Sequence, residues 1–275
     1  MGRVRTVRPG SVLRWAWLAG LCVLIGFPVY VTLVTALLPA ADVAAGRLLP
    51  GPAGLTLDNA RAALAAIPLG SQYLVSIAVT LLQTGAQLVT AALAAYALVF
   101  PRWHGRTVAF VLVLATLAIP GESSVIPNFE LVTSLGLRDT LLGIVVPFLA
   151  VGYPVLLLRQ AFSQLPLEVL EAARLDGCTD LRALVRIVVP MARPQLVTAG
   201  MWCALSAWNG YFWPLLITDS PQHRTVQVGL AQLVAGESTT PAVIYAGTLL
   251  VLLPTLALVL AGQRFLVRGL ASRIA

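Results

Sequence analysis

The polar residues with the most informative types and spacing lie in segment 165–196, between two long apolar runs. This segment begins Leu165-Pro-Leu-Glu-Val-Leu-Glu-Ala-Ala-Arg-Leu-Asp-Gly177. Glu168 and Glu171 share helical spacing on a different face from the leucines, and the two alanines after Glu171 let another surface approach closely. Such residues could make a polar contact with a second protein, and they could equally lie at a membrane surface.

The same segment predicts two short helices joined by a tight turn. Pro166 suits the first turn of a helix, because its missing N–H costs nothing there. Gly177 stands where the end of that helix favours a residue with positive φ. Thr179 or Asp180 is expected to cap the second helix, which places four apolar residues on one side: Leu181, Leu184, Val185 and Val188. Two prolines are expected to break this helix before the next apolar run: Pro190 and Pro194.

This helical pair is compatible with two interpretations. An amphipathic hairpin that lies on the membrane surface would show the same pattern of apolar and charged residues. A docking element for a soluble partner would also show it, and two helices held between two membrane spans could transmit a push to both spans. The pattern by itself leaves both interpretations open.

Few other residues could carry out chemistry. The histidines His104 and His223 lie outside the apolar runs, and the three cysteines are too far apart for a metal site or a disulfide framework. We therefore expect no catalytic residue, no metal and no cofactor bound by this chain. All 18 basic residues are arginine, which excludes a P-loop, since that motif needs a lysine at the phosphates. ATP hydrolysis with Mg²⁺ would then occur on another polypeptide.

Composition predicts that most of the chain lies in lipid. Of its 275 residues, 59% are hydrophobic and 11% charged, whereas soluble domains average about 25% charged residues. A membrane helix needs about 20 mostly apolar residues. The predicted fold is all-α, a polytopic membrane protein forming a single domain over residues 1–275, with a cytosolic hairpin and six transmembrane helices: Val12–Leu38, Gln72–Leu98, Thr107–Ile126, Leu141–Leu158, Val197–Ile217 and Ala242–Phe265.

The distribution of arginine predicts the orientation. If the N-terminus is cytosolic, fourteen arginines fall on the inner side and four on the outer side, as the positive-inside rule requires. Both termini are then cytosolic, and residues 39–71 and 218–241 form long outer loops, the first with a short helix near Leu57–Leu64 that Asp58 could cap. The net charge of +7 is explained by this topology and needs no nucleic-acid partner.

Several residues at fixed spacing carry a family resemblance. Glu171-Ala172-Ala173, Asp176-Gly177, Ile187 and Pro190 resemble the EAA-Gly-Ile-Pro signature of importer-type ABC permeases. The resemblance implies that segment 165–196 is a coupling helix seated in a cleft of a separate ATPase subunit. Glu171 would be the polar contact to the ATPase, Ala172 and Ala173 the close-packing surface, and Gly177 the turn between the two helices.

Other motifs are similar to the carbohydrate-uptake branch of that family, among them Gly136-Leu-Arg-Asp-Thr140 and Trp208-Asn209. The chain looks like the smaller, second permease of this branch. The resemblance implies a bacterial inner-membrane location, a related second permease subunit, two ATPase subunits and an extracytoplasmic solute-binding protein.

Polar and aromatic residues within spans are candidates for the translocation path, because burying polar groups in lipid is costly. Five such residues are Glu122, Trp208, Asn209, Tyr211 and Trp213. Glu122 fits a water-filled path or the outer mouth equally well. An aromatic belt at the outer surface is the alternative for the rings. The belt is favoured for Trp213 and the path for Asn209.

The solute is only weakly indicated. The stretch from Trp208 to Asp219 looks like permeases for glycerol-3-phosphate and related glycerophosphodiesters, although a phosphate would favour arginine, and no arginine clearly lies in the path. An oligosaccharide importer of the maltose or trehalose type is the alternative. A secondary transporter would predict paired discontinuous helices or a charged relay, and a membrane enzyme would need catalytic motifs that the sequence lacks.

Overall fold

The chain is almost entirely helical. The computed structural model describes residues 9–51, 54–236 and 239–271, without the side chains of 9–13, 122, 258 and 261–271. About 78% is helical and these ranges contain no strand, which confirms the predicted all-α class. Within these ranges the chain forms two compact units.

The first unit covers the described residues up to Ile67 together with Leu230–Leu252. Asn59 is buried in it, and its Nδ2 donates to Ala36 O (3.0 Å) and Leu38 O (2.7 Å). These carbonyls become available because the chain leaves the helical path at Pro39, so Asn59 satisfies a helix end that would otherwise lack partners. The helices that lie wholly in this unit are α1 (Pro9–Leu37), α2 (Ala40–Ala44) and α3 (Asp58–Ala66).

The second unit covers Pro68–Gly229 and the described residues from Leu253 onward. Its first helix, α4 (Leu69–Val99), packs against the helices on both sides of segment 165–196. The others are α5 (Arg106–Ala118), α6 (Val125–Ser134), α7 (Leu141–Val145), α8 (Gly152–Phe162), α9 (Leu167–Leu175), α10 (Asp180–Ala183), α11 (Val189–Met191), α12 (Arg193–Trp208) and α13 (Phe212–Ile217). Two helices contribute to both units: α14 (Val226–Ala235) and α15 (Pro241–Ala271).

Two of the predicted spans are single helices long and apolar enough to cross a membrane, Arg14–Leu37 and Leu69–Val99. A third candidate is a bent pair, in which Leu141–Phe148 and Gly152–Phe162 meet at 47°. Shorter apolar helices occupy Arg106–Ala118, Val226–Ala235 and Pro241–Ala257. The presence of membrane-spanning helices is thus confirmed, while the number six stays a prediction.

Three of the predicted spans are interrupted where the sequence pattern predicts continuous helices. The third ends at Ala118, because Pro120 holds Ile119 in an extended conformation. The fourth bends before Gly152, where a Cβ atom would overlap the Thr116 side chain of α5. The fifth stops at Trp208 and resumes at Phe212.

The helix predicted in the first outer loop exists, but its predicted cap is wrong. Helix α3 begins at Asp58, after Leu57, which makes no side-chain cap bond; the Asp58 N–H donates to Thr56 Oγ1 (3.1 Å) instead. Asp58 instead accepts a hydrogen bond from the Thr56 hydroxyl (2.8 Å) and pairs with Arg61 (3.0 Å). Its carboxylate is therefore occupied beside the helix start.

The core of the second unit depends on small residues in α4. Ala91 and Ala95 are fully buried, which lets α8 and α12 approach through Phe162 and Ala199. Nearer the start of α4, buried polar side chains replace the alanines. They are Gln72, Ser76, Thr80, Gln83 and Gln87, at spacings of three or four residues that place them on one helix face.

The polar side chains on this face of α4 hydrogen-bond to backbone groups of the bent span and of the chain near α14. Gln83 Nε2 donates to Ile144 O (3.1 Å) and Gln87 Nε2 to Phe148 O (2.7 Å), both in the bent span. Gln72 Nε2 donates to Pro221 O (3.1 Å), and Ser76 Oγ accepts from the Val226 N–H (2.9 Å). Backbone groups that the breaks release are thereby paired inside the protein, as a low-dielectric environment demands.

We expect Gly229→Ala to lower the thermal unfolding midpoint, because a Cβ atom there would overlap the side-chain amide of Gln72. Overpacking of this kind costs about 1–3 kcal/mol. Gly85→Ala is the control, since its Cβ atom meets nothing within 4 Å and alanine favours the helix. Thermal unfolding in detergent measures both variants, and equal midpoints would contradict the close packing at Gly229.

Candidate functional site

The first helix of segment 165–196 ends in a turn that only a residue with positive φ fits easily. Gly177 has φ of +75°. Its N–H donates to Arg174 O (3.0 Å), and the Cys178 N–H donates to Ala173 O (2.9 Å). These two bonds form a Schellman motif, which closes the end of α9. The predicted turn at Gly177 is therefore present.

Helix α9 presents one apolar face to the protein and its signature residues to the outside. Leu170 is 2% exposed and belongs to the core around α4 and α8. The opposite side is available to a partner, because Glu171 and Ala172 are exposed and Ala173 is half-buried. Beyond the end of the helix, Asp176 and Gly177 are also exposed.

The second half of the segment differs from its prediction in two ways. Thr179 precedes α10, but its side chain makes no cap bond. The Asp180 carboxylate contacts Tyr96 and Arg174 instead. A π-helical turn at Leu184–Val188 follows α10. The four apolar residues do not share one side as predicted: Leu184 and Val188 are buried, whereas Leu181 and Val185 are exposed. The wider turn changes the angular spacing along the helix.

The helix breaks between the two prolines, before the fifth predicted span, as expected. Pro190 lies in the first turn of α11 and Pro194 in the first turn of α12. The direction changes between them, at Ala192 with φ −94° and ψ 17°. Pro190 is exposed and Ile187 half-buried. Pro194 opens α12, where it needs no N–H partner. Pro190 lies directly after the π-helical turn, near the end of the helical run 180–191.

A polar contact joins this segment to α4. The Tyr96 hydroxyl donates to Asp180 Oδ1 (2.9 Å), and Arg174 Nη2 lies 3.3 Å from the same oxygen. The hydrogen bond with Asp180 raises the pKa of Arg174 above its ordinary value. The Tyr96 ring also packs on Phe100, with ring centroids 5.0 Å apart. The end of α4 is thus bonded to the start of α10.

A cavity of about 370 Å³ lies against the middle of α4. Two of the predicted path residues, Tyr211 and Trp213, line it. The remaining lining residues come from α4, the bent span, the segment after α5, and α12 with α13: Val79, Gln83, Gln87, Gly121, Val125, Ile144, Phe148, Val151, Trp202, Ser206, Ala207, Gly210, Phe212 and Pro214.

The other three predicted path residues are placed differently. Trp208 is buried beside Tyr73, with ring centroids 6.2 Å apart. Asn209 is exposed, donates to Leu205 O (2.9 Å) and accepts from Gln227 Nε2 (3.3 Å). Neither lines the cavity. Glu122 has its backbone in the short helical turn Gly121–Ser124, while its side chain lies outside the described residues. Their roles in a path stay predictions.

Trp213 does not fit the aromatic belt favoured for it from the sequence. Its side chain is 7% exposed and Nε1 donates to Gly143 O (3.2 Å). Phe148 meets its ring edge-on at 6.1 Å. A belt residue needs an exposed ring at the membrane interface, whereas Trp213 is held inside the protein as part of the cavity wall.

Among the cavity-wall residues that the sequence analysis did not predict are Gln83, Gln87 and Trp202. The two glutamines could have been predicted as functional candidates, because polar side chains within an apolar span are costly to bury in lipid. Their partners are carbonyls 61 residues further along the chain. That distance explains why local pattern alone could not place them.

A second polar cluster ties together two loops that were predicted to lie outside. Asp139 has φ of 53°, and its Oδ1 accepts from the backbone N–H groups of Asp219 (2.9 Å) and Ser220 (3.0 Å). The Ser220 hydroxyl donates to Oδ2, and His223 Nδ1 lies 3.2 Å from that oxygen. Arg138 pairs with Asp219 (3.2 Å).

The hydrogen bonds set the ionisation of Asp139. Burial alone would raise its pKa, but the bonds from Ser220, the Asp219 N–H and His223 outweigh it and lower the pKa to about 2. The carboxylate is therefore charged at all ordinary pH values. A group of this kind stabilises the folded state above its unfolded pKa and stops doing so as the pH falls towards the folded value.

The helical membrane chain carries an exposed two-helix hairpin and a cavity between its helices, features that are compatible with a permease subunit of an importer. The comparison with known families agrees: residues 87–272 match the family described as the binding-protein-dependent transport system inner membrane component. The chain belongs to this family.

Individual relatives span nearly the whole chain. The sn-glycerol-3-phosphate transport system permease protein UgpE of Yersinia pestis bv. Antiqua is 33% identical over 90% of this chain and 91% of its own length. The arabinooligosaccharides transport system permease protein AraQ of Halalkalibacterium halodurans is 31% identical over 80% and 79%. A crystal structure of a bacterial ABC transporter involved in import of the acidic polysaccharide alginate matches with a TM-score of 0.82 and 25% identity, covering 96% of this chain and 99% of that one.

We expect Asp139→Asn to lower the thermal unfolding midpoint at pH 7. Asparagine tolerates the positive φ but removes the charge, a loss of about 1 kcal/mol, or about 2–4 °C. Because the native carboxylate has a lowered pKa, its advantage over asparagine should shrink as the pH falls from about 4 to about 2. Asp219→Asn, at an exposed ion pair, is the control with a smaller effect. A difference that is constant with pH would contradict this role of Asp139.

Proposed function

We propose that this permease forms, with a related second permease, the translocation path of an ATP-driven importer for a sugar or sugar-phosphate-like solute. The observation that carries the proposal is the exposed hairpin around Glu171 and Gly177, which is anchored to the helical core through Leu170. An exposed signature on a buried anchor suits a soluble partner better than a lipid surface. Two ATPase subunits, with ATP and Mg²⁺, would occupy that side, and this chain would bind no cofactor.

The proposed topology has six spans in a bacterial inner membrane, with both termini cytosolic. The arginine asymmetry supports this orientation. Helices α1, α4 and α15 would each provide one span. The interrupted segments α5–α6, α7–α8 and α12–α13 would provide the other three, since a broken helix is tolerated at membrane depth where it is buried in protein or lines a cavity. The extracytoplasmic binding protein would dock on the outer loops.

Motion of the hairpin would reach the cavity through α4. This helix runs unbroken for 31 residues and bonds to the hairpin through Tyr96 and Asp180. Gln83 and Gln87, on the same helix, line the cavity and hold carbonyls of the bent span. A displacement at one end of such a helix changes both the cavity wall and the bend.

For the solute, glycerol-3-phosphate or a glycerophosphodiester is favoured by the relatives that transport glycerol-3-phosphate. An oligosaccharide is the second candidate, supported by the arabinooligosaccharide relative. The aromatic rings in the cavity suit either solute, because carbohydrate C–H faces pack on rings. An ATPase-independent secondary transporter is disfavoured by the family membership and the exposed signature.

The coupling role is tested at Glu171. We expect Glu171→Ala to weaken capture of the ATPase subunits and to reduce solute uptake by roughly tenfold, since a charge-assisted contact is worth about 1.5–3 kcal/mol. Gly177→Ala should act in the same direction, because φ of +75° strains a residue with a Cβ atom by about 1–2 kcal/mol.

Glu168→Ala is the matched control, as Glu168 is exposed on the same helix but lies outside the signature. Co-purification of the complex and ATP-driven uptake in proteoliposomes are the measurements. A Glu171→Ala complex that assembles and transports like the native one would show that the coupling assignment is wrong.

The connection from hairpin to α4 is tested at Tyr96. Tyr96→Phe keeps the ring packing on Phe100 and removes the hydroxyl that bonds to Asp180. We expect the ATPase rate stimulated by the binding protein to persist while the solute imported per ATP falls about two- to fivefold, the cost of one hydrogen bond. Asp180→Asn, which retains an acceptor oxygen, should be milder. Tyr245→Phe, outside this network, is the control. An unchanged ratio in Tyr96→Phe would contradict the connection.

A further inference from the structure

We propose that Gln83 and Gln87 form a binding subsite for the hydroxyl-bearing carbon skeleton of the solute, an inference that rests on the proposed transport function. Both side chains line the 370 Å³ cavity. That volume falls within the range of about 300–1,000 Å³ typical of small-molecule sites. The chemistry shared by sugars and glycerol esters is a row of hydroxyl donors beside apolar C–H faces.

The two amides are fixed in orientation. Each uses Nε2 to donate to a carbonyl of the bent span, Gln83 to Ile144 O and Gln87 to Phe148 O. Each amide oxygen can accept a hydrogen bond from a solute hydroxyl, and each Nε2 keeps a second N–H. A pair of acceptors one helical turn apart on α4 matches a solute that brings several O–H donors.

The Gln87 oxygen gives the second observation. Gln87 is 5% exposed, and its Oε1 is buried without a hydrogen-bond partner in the described structure. An unpaired buried acceptor is unfavourable, and this one belongs to a residue of the cavity wall. A solute hydroxyl would supply the missing donor. Because the wall covers this oxygen, the contact requires a small local displacement of the side chains beside it.

The rest of the wall suits the apolar faces of the same solute. Trp213 is fixed by its bond to Gly143 O, and the Trp202 ring packs on Tyr153 with centroids 4.5 Å apart. Because these rings are already held in place, stacking a C–H face of the solute on them costs little side-chain entropy. Among the described lining side chains none is charged, so the subsite contacts hydroxyls and carbon rather than a phosphate group.

The test uses the complete importer in proteoliposomes with saturating binding protein. One pair of probes is sn-glycerol 3-phosphate and 3-hydroxypropyl phosphate, which lacks only the secondary hydroxyl. The other pair is arabinotriose and a monodeoxy arabinotriose. The native importer should prefer the fully hydroxylated probe, and Gln87→Met should reduce that preference by about fivefold or more, as the loss of one hydrogen bond implies. Gln83→Met should act in the same direction.

Gln72→Met is the matched control. Gln72 lies on the same helix, donates to a backbone carbonyl, and also has a buried Oε1 without a partner, but it does not line the cavity. It should change the absolute rate without changing the preference between probes. Because the binding protein is identical in every sample, its own selectivity cancels in the comparison of native and variant.

The outcomes separate the two proposals. If the native importer transports a probe pair but Gln87→Met keeps the native preference, the subsite is wrong and the proposed function stands. Equal loss of preference in Gln72→Met and Gln87→Met would also overturn the subsite, since it would mean a purely structural effect. If the native importer moves none of these probes in an ATP-dependent way, the proposed function fails and the subsite fails with it.

Discussion

The pairing of backbone carbonyls with side chains of α4 is the interaction on which the rest of the second unit depends. A broken helix at membrane depth releases carbonyls that lipid cannot hydrogen-bond. Gln83 and Gln87 take up Ile144 O and Phe148 O, and Thr90 Oγ1 lies 3.2 Å from Leu149 O. These contacts allow the fourth apolar run to bend, and the bend in turn makes room for the cavity beside Trp213.

Helix α4 therefore makes two different kinds of contact along its length. Near its middle, α4 uses amide side chains to organise irregular backbone; near its end, alanines give way to Tyr96, which reaches the hairpin at Asp180. The close packing of Ala91 and Ala95 against α8 and α12 lies between these regions. Because protein interiors are closely packed, we expect a displacement of the hairpin to be transmitted along α4 to the cavity wall.

Local features of the sequence were enough to predict some of this architecture. The turn at Gly177 follows from a residue that tolerates positive φ, and α4 follows from one long apolar run. The interruptions were missed because hydropathy averages over a window and does not register one extended residue such as Ile119. The π-helical turn at Leu184–Val188 and the partners of Gln83 and Gln87 depend on contacts distant in the sequence. No periodicity encodes such pairs.

The length of α4 has a consequence for the surrounding lipid. At 31 residues and a rise of 1.5 Å each, the helix extends about 46 Å, against a hydrocarbon core of about 30 Å. Such a helix tilts, or extends its ends into the polar headgroup regions, which bring the bilayer to about 40–45 Å. A change in bilayer thickness is therefore expected to change the tilt of the helix that carries Gln87 and Tyr96.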